Sequence, residues 1–458
     1  MTRPCVMIAA TGSGRGKTAV TCAILRALSE RGLTARAFKA GPDYIDPMFH
    51  RAALGIPSKN LDLFFTDAPT VNALFEEGND AKISIVEGVM GLYDGLAPDS
   101  DAASSYRLAC ALDAPVVLVA DARGMSRSLI AEIRGFLDYD AEKRIKGVIL
   151  NNVSEAFYQT VAPIIERELG VAALGSFPNL GELAFESRYL GLKLPGEIDG
   201  LRAKLGEAAR VAEKTLQIDR LLELARERAD FAPPPPAPPA PPLPDPIARV
   251  AIAQDAAFCF YYEDNLRMLR AAGLELVPFS PLRNDPVPAD ASGLILGGGY
   301  PELFAAELAR ADAAKESIRQ ALNSGLPTLA ECGGFMWLHE KIVTREGEEF
   351  PAVGALPGAC RYAGKLVRFG YVTLQEKTPR FLTGASRSIR GHEFHYYDVD
   401  ADGADCEAVK PSGKRWPCAH VDAGRWLGFA HLYYPSNPDF VRAFADACAI
   451  AKRRVSER

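Results

Sequence analysis

The chain has 458 residues, 48% of them hydrophobic, which is enough to bury more than one core, so two or three domains are expected. A formal net charge of −6 gives no general attraction to polyanions, so neither nucleic acid nor an anionic membrane is an expected partner. Nine cysteines without CxxC spacing, and an opening apolar run too short to span a bilayer, point to a reducing cytoplasm with no export signal.

The first apolar run, CVMIAA, leads into TGSGRGKT (residues 11–18) and then into a helical pattern. Strand, glycine-rich loop and helix in that order predict a phosphate loop. Backbone N–H groups of Gly12, Ser13, Gly14, Arg15 and Gly16 would wrap the phosphates, Lys17 would reach the outer ones, and the Thr18 hydroxyl would ligate Mg²⁺. Thr11 stands where such loops usually carry their first glycine.

The runs TARAFKA, KISIVEG, APVVLVAD, RIKGVILNN and VAALGSF then alternate with helical patterns, which predicts a parallel sheet with crossover helices. Ligands of such sheets collect at the carboxyl ends of the strands, where two acidic stretches fall: KAGPDYID (39–46) and IVEGVMGLYDG (85–95). Mg²⁺ prefers oxygen ligands, so Glu87 and one of Asp43 or Asp46, with Asp46 preferred, are candidate partners of Thr18. Asp43, Tyr44, Ile45 and Asp94 are candidate substrate contacts. Acids after strands also serve as turn formers and helix caps, and Asn151 and Asn152 fit either a nucleobase edge or a turn.

The segment EIDGLRAKLGEAARVAEKTLQIDRLLELARERA reads as one or two polar-faced helices. Next comes FAPPPPAPPAPPLPDPI, whose prolines supply no N–H donors and favour extended chain, hence a spacer. The expected organisation is a phosphate-loop domain over 1–230, a linker over 231–246 and a second α/β domain over 247–458. The last is signalled by RVAIAQ, EDNLRMLRAAG, LELVPFS, SGLILGGG and PTLAE.

In that second domain LPTLAECGGFMWLHEK places Cys332 between a short apolar run and a helical pattern, with Gly333 and Gly334 permitting a sharp turn. Such an elbow exposes a nucleophile and aims helix N–H groups at it, which is expected to lower the thiol pKa. Gly297, Gly298 and Gly299 of LILGGGYPE are candidate oxyanion donors, with Gly298 and Gly299 preferred. His431, in WLGFAHLYYPSNP, is the candidate base, and a thiol with a histidine suits acyl transfer through a thioester. RGHEFHYYD lacks the HExxH spacing of a zinc helix, so His392 and His395 are expected on a strand, as substrate contacts or core hydrogen-bonders. The aromatic run FCFYYEDN fits core packing or a flat ligand.

Taken in order, TGSGRGKT, KAGPDYIDPMFH, NLDLF, VEGVMGLYDG, NNV, RYLGL, AFCFYYEDN, LILGGGYPE, AECGGFMWL, GHEFHY and GFAHLYYPSNP resemble the motifs of the cobyrinate or hydrogenobyrinate a,c-diamide synthases, glutamine-dependent amidotransferases of corrin-ring biosynthesis. The resemblance runs nearly end to end. It implies an N-terminal synthetase domain like that of dethiobiotin synthetase, using ATP, and a C-terminal class I glutaminase domain. It also implies a corrinoid or related tetrapyrrole substrate, glutamine as amide donor, and a chain for which a homodimer is allowed. Cys332 carries over as the nucleophile that attacks glutamine and His431 as its activator. Ordinary class I glutaminases place a glutamate two residues after that histidine, where this chain has Tyr433. Tyr189 also departs, since relatives often have histidine there. The nickel-sirohydrochlorin a,c-diamide synthases share much of the motif set. Partitioning ATPases of the MinD type share the loop, but they carry a signature lysine where this chain has Gly12.

Overall fold

Seven short, largely buried runs in the N-terminal half, all but the polar Ser58–Leu61 mostly apolar, form one sheet in the computed structural model. They are β1 (Cys5–Ala10), β2 (Ala35–Ala40), β3 (Ser58–Leu61), β4 (Ile83–Glu87), β5 (Val116–Asp121), β6 (Ile145–Asn151) and β7 (Ala172–Phe177). Their order is β3-β2-β4-β1-β5-β6-β7, and every pairing is parallel. All residues of β1, β4, β5 and β7 are buried, as in a sheet covered on both faces. Because the strands are parallel, their carboxyl ends share one edge. The strand order turns back on either side of β1, so its following loop sits at the ligand crevice of an open α/β sheet.

The structure describes residues 3–179, 187–188, 191–192, 198, 200–228, 246–384 and 387–456. Tyr189 and the spacer residues 231–245 lie outside them. The chain divides into two compact units, Met1–Pro238 and Pro239–Arg458. In the first, helix α1 (Lys17–Glu30) follows the glycine loop and a short α2 (Ile45–Met48) follows β2. The polar-faced segment before the spacer is two helices, α3 (Leu201–Thr215) and α4 (Ile218–Ala225). They break where Gly175, at φ +121°, packs against the Thr215 carbonyl, a position with no room for a side chain.

The second unit opens with β8 (Ala248–Ala253), α5 (Glu263–Ala271), β9 (Leu274–Phe279) and β10 (Gly293–Leu296). It continues through β11 (Thr328–Glu331) and α6 (Gly333–Trp337). Later come β12 (Arg368–Glu376), β13 (Ser388–His395), β14 (Cys406–Val409), β15 (Arg415–Cys418), β16 (His420–Val421), β17 (Arg425–Gly428) and β18 (His431–Leu432). One sheet, β9-β8-β10-β11-β17-β16, is parallel except at β16; a second, β15-β14-β12-β13-β18, is antiparallel. A buried cluster including Ile252, Ile295, Leu374, Trp426 and Phe440 joins residues of both. Among the described residues no helix is long and apolar enough to cross a membrane.

Candidate active sites, one in each unit

The loop between β1 and α1 exposes Ser13, Gly14 and Arg15 while burying Lys17 behind them. Gly14 and Gly16 take φ +70° and +90°, the left-handed region that suits glycine. At Gly16 a side chain would also strike Asn151, whose amide donates to the Arg15 carbonyl at 2.9 Å. That contact gives Asn151 a loop-holding place; Asn152 lies in the left-handed region at φ 62°, as a turn residue does. The Lys17 ammonium donates to the Gly12 and Met90 carbonyls at 3.0 and 2.5 Å. Burial, and then the positive charge of Lys39, lower its pKa to about 8.

Beside this loop the sheet register does what the sequence order hides. Lys39 of β2 and Glu87 of β4 are cross-strand neighbours, and the Lys39 ammonium bridges Glu87 at 3.0 Å and Asp46 at 2.5 Å. The Thr18 hydroxyl reaches the same carboxylates, Glu87 at 2.6 Å and Asp46 at 3.4 Å. The far oxygen of Glu87 lies 3.3 Å from the His50 ring, which is held in turn by Ser58. Burial opposes ionisation of Glu87, but Lys39, His50 and Thr18 outweigh it and hold the carboxyl well below its usual range. Burial and the neighbouring Glu87 charge push Asp46 upward, while the two carboxylates keep Lys39 protonated against its own burial.

Thr18, Asp46 and Glu87 are thus brought together. Asp43 instead caps Ile45 N–H at 2.8 Å, with Tyr44 at the start of α2 and the Ile45 side chain buried. Asp94 accepts the Gly91 N–H at 2.7 Å within the loop that supplies Met90. Sequence reasoning missed Lys39 and His50. A lysine in a buried strand just before a loop was the available signal for the first; His50 gave none.

In the second unit Cys332 joins β11 to α6 at φ 46°, ψ −108°, the strained turn expected of an elbow. Two close approaches fix it: a side chain at Gly334 would strike the Leu296 carbonyl, and one at Gly333 would press on Gly299 N and Pro301. On the other side of the same glycine run, a side chain at Gly298 would meet the His431 ring at 2.3 Å. Gly298 and Gly299 therefore lie between His431 and the elbow.

The expected lowering of the thiol pKa is reversed. Burial first, then the Glu302 carboxylate, push the Cys332 thiol well up, and the Gly333 N–H opposes them only in part. Burial, followed by His392 and His395, lowers His431 to about 3. Both shifts favour the neutral form of each group. Tyr433 turns away from His431 to donate to Asp264 at 3.1 Å. His395 lies 2.6 Å from the Tyr397 carbonyl and stacks on Phe429, a core role, whereas His392 faces the rings of Phe369 and Tyr371. In the aromatic run, Phe258 and Tyr262 are fully buried.

Two family models match the chain: a CobQ/CobB/MinD/ParA nucleotide binding domain over residues 6–188, and a CobB/CobQ-like glutamine amidotransferase domain over 249–416. The cobyrinate a,c-diamide synthase of Priestia megaterium is 37% identical over 98% of each chain. That of Thermoplasma volcanium is 37% identical over 99% of each. That of Listeria monocytogenes is 41% identical over 94% of this chain and 96% of its own.

Proposed function

The chain belongs to the cobyrinate a,c-diamide synthase family of glutamine-dependent amidating ligases, and from that premise we propose that it converts the a and c carboxylates of cobyrinate or hydrogenobyrinate into amides, with ATP and glutamine. The observation that supports this most is the presence in one chain of two built sites: a phosphate loop backed by Thr18, Asp46 and Glu87, and a strained thiol elbow beside His431.

A carboxylate is a poor electrophile. Attack of its oxygen on the γ-phosphorus, with ADP leaving, gives an acyl phosphate; ammonia then attacks the acyl carbon, phosphate departs, and a proton is lost. Lys17 and the N–H groups of residues 12–16 stabilise the charge on the phosphoryl oxygens. The loops after β2 and β4, which carry Asp43, Tyr44, Ile45 and Asp94, would face the substrate. Thr18, Asp46 and Glu87 offer Mg²⁺ hard oxygen donors, already drawn together around the Lys39 ammonium. Nucleotide oxygens and water would complete the shell. Bound there, Mg²⁺ would neutralise phosphate charge.

In the second unit the Cys332 sulfur attacks the glutamine side-chain carbonyl while its proton passes to His431. The oxyanion sits against Gly298 and Gly299 N–H groups, and His431 returns the proton to the departing ammonia. Water then hydrolyses the glutamyl thioester. Because both groups start neutral, the charge separation arises only as the carbon–sulfur bond forms.

The test is incubation with Mg-ATP, glutamine and, separately, cobyrinic acid, hydrogenobyrinic acid or nickel-sirohydrochlorin, followed by mass spectrometry. Two successive amidations of either corrinoid are expected; amidation of nickel-sirohydrochlorin alone would move the substrate assignment, and none at all would sink the reading. Cys332→Ser should abolish glutamine use and keep amidation from free ammonia.

A further inference from the structure

The residue two after His431 is a tyrosine whose hydroxyl donates to Asp264. The three residues that follow His431 are held by a set of buried hydrogen bonds. The side-chain amide of Asn265 donates to the Leu432 carbonyl at 2.7 Å, and its oxygen accepts the Tyr434 N–H at 2.8 Å. One buried amide thus spans the strand like a missing neighbour in a ladder. Asp264, the preceding residue, accepts the Tyr433 hydroxyl. Glu331, the residue before the nucleophile, accepts the Tyr434 hydroxyl at 3.2 Å. On the far side, the Tyr433 N–H donates to the Arg390 carbonyl of β13.

We propose that Asn265, seconded by Asp264 and Glu331, is the positioning residue of the glutaminase dyad: it fixes His431 through the backbone of β18, in the role an acidic third member plays from the side chain. The inference rests on the assignment of Cys332 and His431 to glutamine hydrolysis. Several features make the backbone route physically sufficient. β18 has two residues and pairs only with β13 among the described strands, at Gly391 and His392. A two-residue strand held on one side gains its rigidity from what satisfies the other side, and here that is Asn265. Its amide matches both a carbonyl and an N–H, which a carboxylate cannot do. Asp264, Asn265 and Glu331 are all buried, so their hydrogen bonds are not traded against water. Glu331 also links the two catalytic elements, since it precedes Cys332 in the chain and accepts from Tyr434, three residues after His431. The His431 ring has Gly298 beneath it and Phe260 edge-on at 6.4 Å. A shift of the strand would carry the imidazole away from that glycine run.

The experiment uses the full chain and compares Asn265→Ala, Asn265→Asp and Cys332→Ser with the parent. For Asn265→Ala, kcat with glutamine should fall about 10- to 100-fold, the size of effect expected from a misplacement near 1 Å, with the KM for glutamine nearly unchanged. Amidation from free ammonia should persist. Asn265→Asp, which keeps an acceptor for Tyr434 but sets a carboxylate oxygen against the Leu432 carbonyl, should fall at least as far. A parent-like glutamine kcat in Asn265→Ala would overturn the proposal, and so would a raised KM and lowered Tm with kcat intact, the mark of a merely structural residue. If Asn265→Ala does not fold, the same kcat criterion applied to Asn265→Asp decides. Glutamine use surviving in Cys332→Ser would instead bring down the underlying assignment.

Discussion

At the phosphate loop Lys17, Lys39, Asp46 and Glu87 are buried together and balance one another's charge, whereas at the elbow Cys332 and His431 are buried as neutral groups. The first arrangement stores charge before substrate arrives. Lys39 keeps two carboxylates within reach of the Thr18 hydroxyl without leaving either uncompensated. The second stores no charge and places it only along the reaction path, which explains why its supports are glycines and backbone hydrogen bonds rather than ion pairs. Polyphosphate chemistry handles charge from the outset; glutamine is neutral at its reacting carbon.

The sharpest way to break this comparison is to remove the balancing charge. Lys39→Met leaves Asp46 and Glu87 facing each other in a buried site. Loss of one partner from such a group costs about 3–5 kcal/mol, and amidation should vanish with glutamine and with ammonia alike. Mg²⁺ should raise the thermal unfolding midpoint more in Lys39→Met than in the parent, since it would supply the missing cation. An unchanged midpoint and retained ammonia-dependent activity would show that Lys39 is not what holds the pair together.

The corresponding change at the elbow is steric. Gly298→Ala places a methyl 2.3 Å from the His431 ring, and the ring is buried with its strand tied at each following residue. Overpacking of this kind costs about 1–3 kcal/mol, and the imidazole should leave its line to the sulfur. Glutamine-dependent turnover should drop about 100-fold, with ammonia-dependent amidation intact. Equal loss with both donors would mean that the methyl disturbs more than the dyad.

Much of the local geometry at both candidate sites could be read from the chain because its determinants are local. The glycines at 14 and 16 and at 333 and 334 announce turns, and a phosphate loop or elbow follows from strand, turn and helix in sequence. The α/β class likewise followed from alternating runs. What stayed hidden depends on register. Lys39 meets Glu87 only because β2 pairs with β4, strands separated by β3 in the chain. Asp264 and Asn265 looked like the polar end of an aromatic run, and their purpose appears only when β18 arrives beside them from more than 160 positions later. The direction of the Cys332 shift differs from the expectation for a related reason. Helix N–H groups are visible in the sequence, but the degree of burial is not, and burial wins.

That reversal yields the mildest prediction. A thiol pushed up remains protonated between pH 5 and 8, and an imidazole lowered to about 3 remains neutral there. Both shifts oppose a thiolate–imidazolium pair in the free enzyme. Alkylation of Cys332 by iodoacetamide, followed by peptide mass spectrometry, should therefore climb about tenfold per pH unit across that range, because only the thiolate reacts. A preformed ion pair would behave in the opposite way: its thiolate would be complete above the lower pKa, and the rate would level off below pH 7. A plateau there would mean that the elbow carries charge at rest, as the phosphate loop does, and that the contrast between the two sites is one of residue type alone.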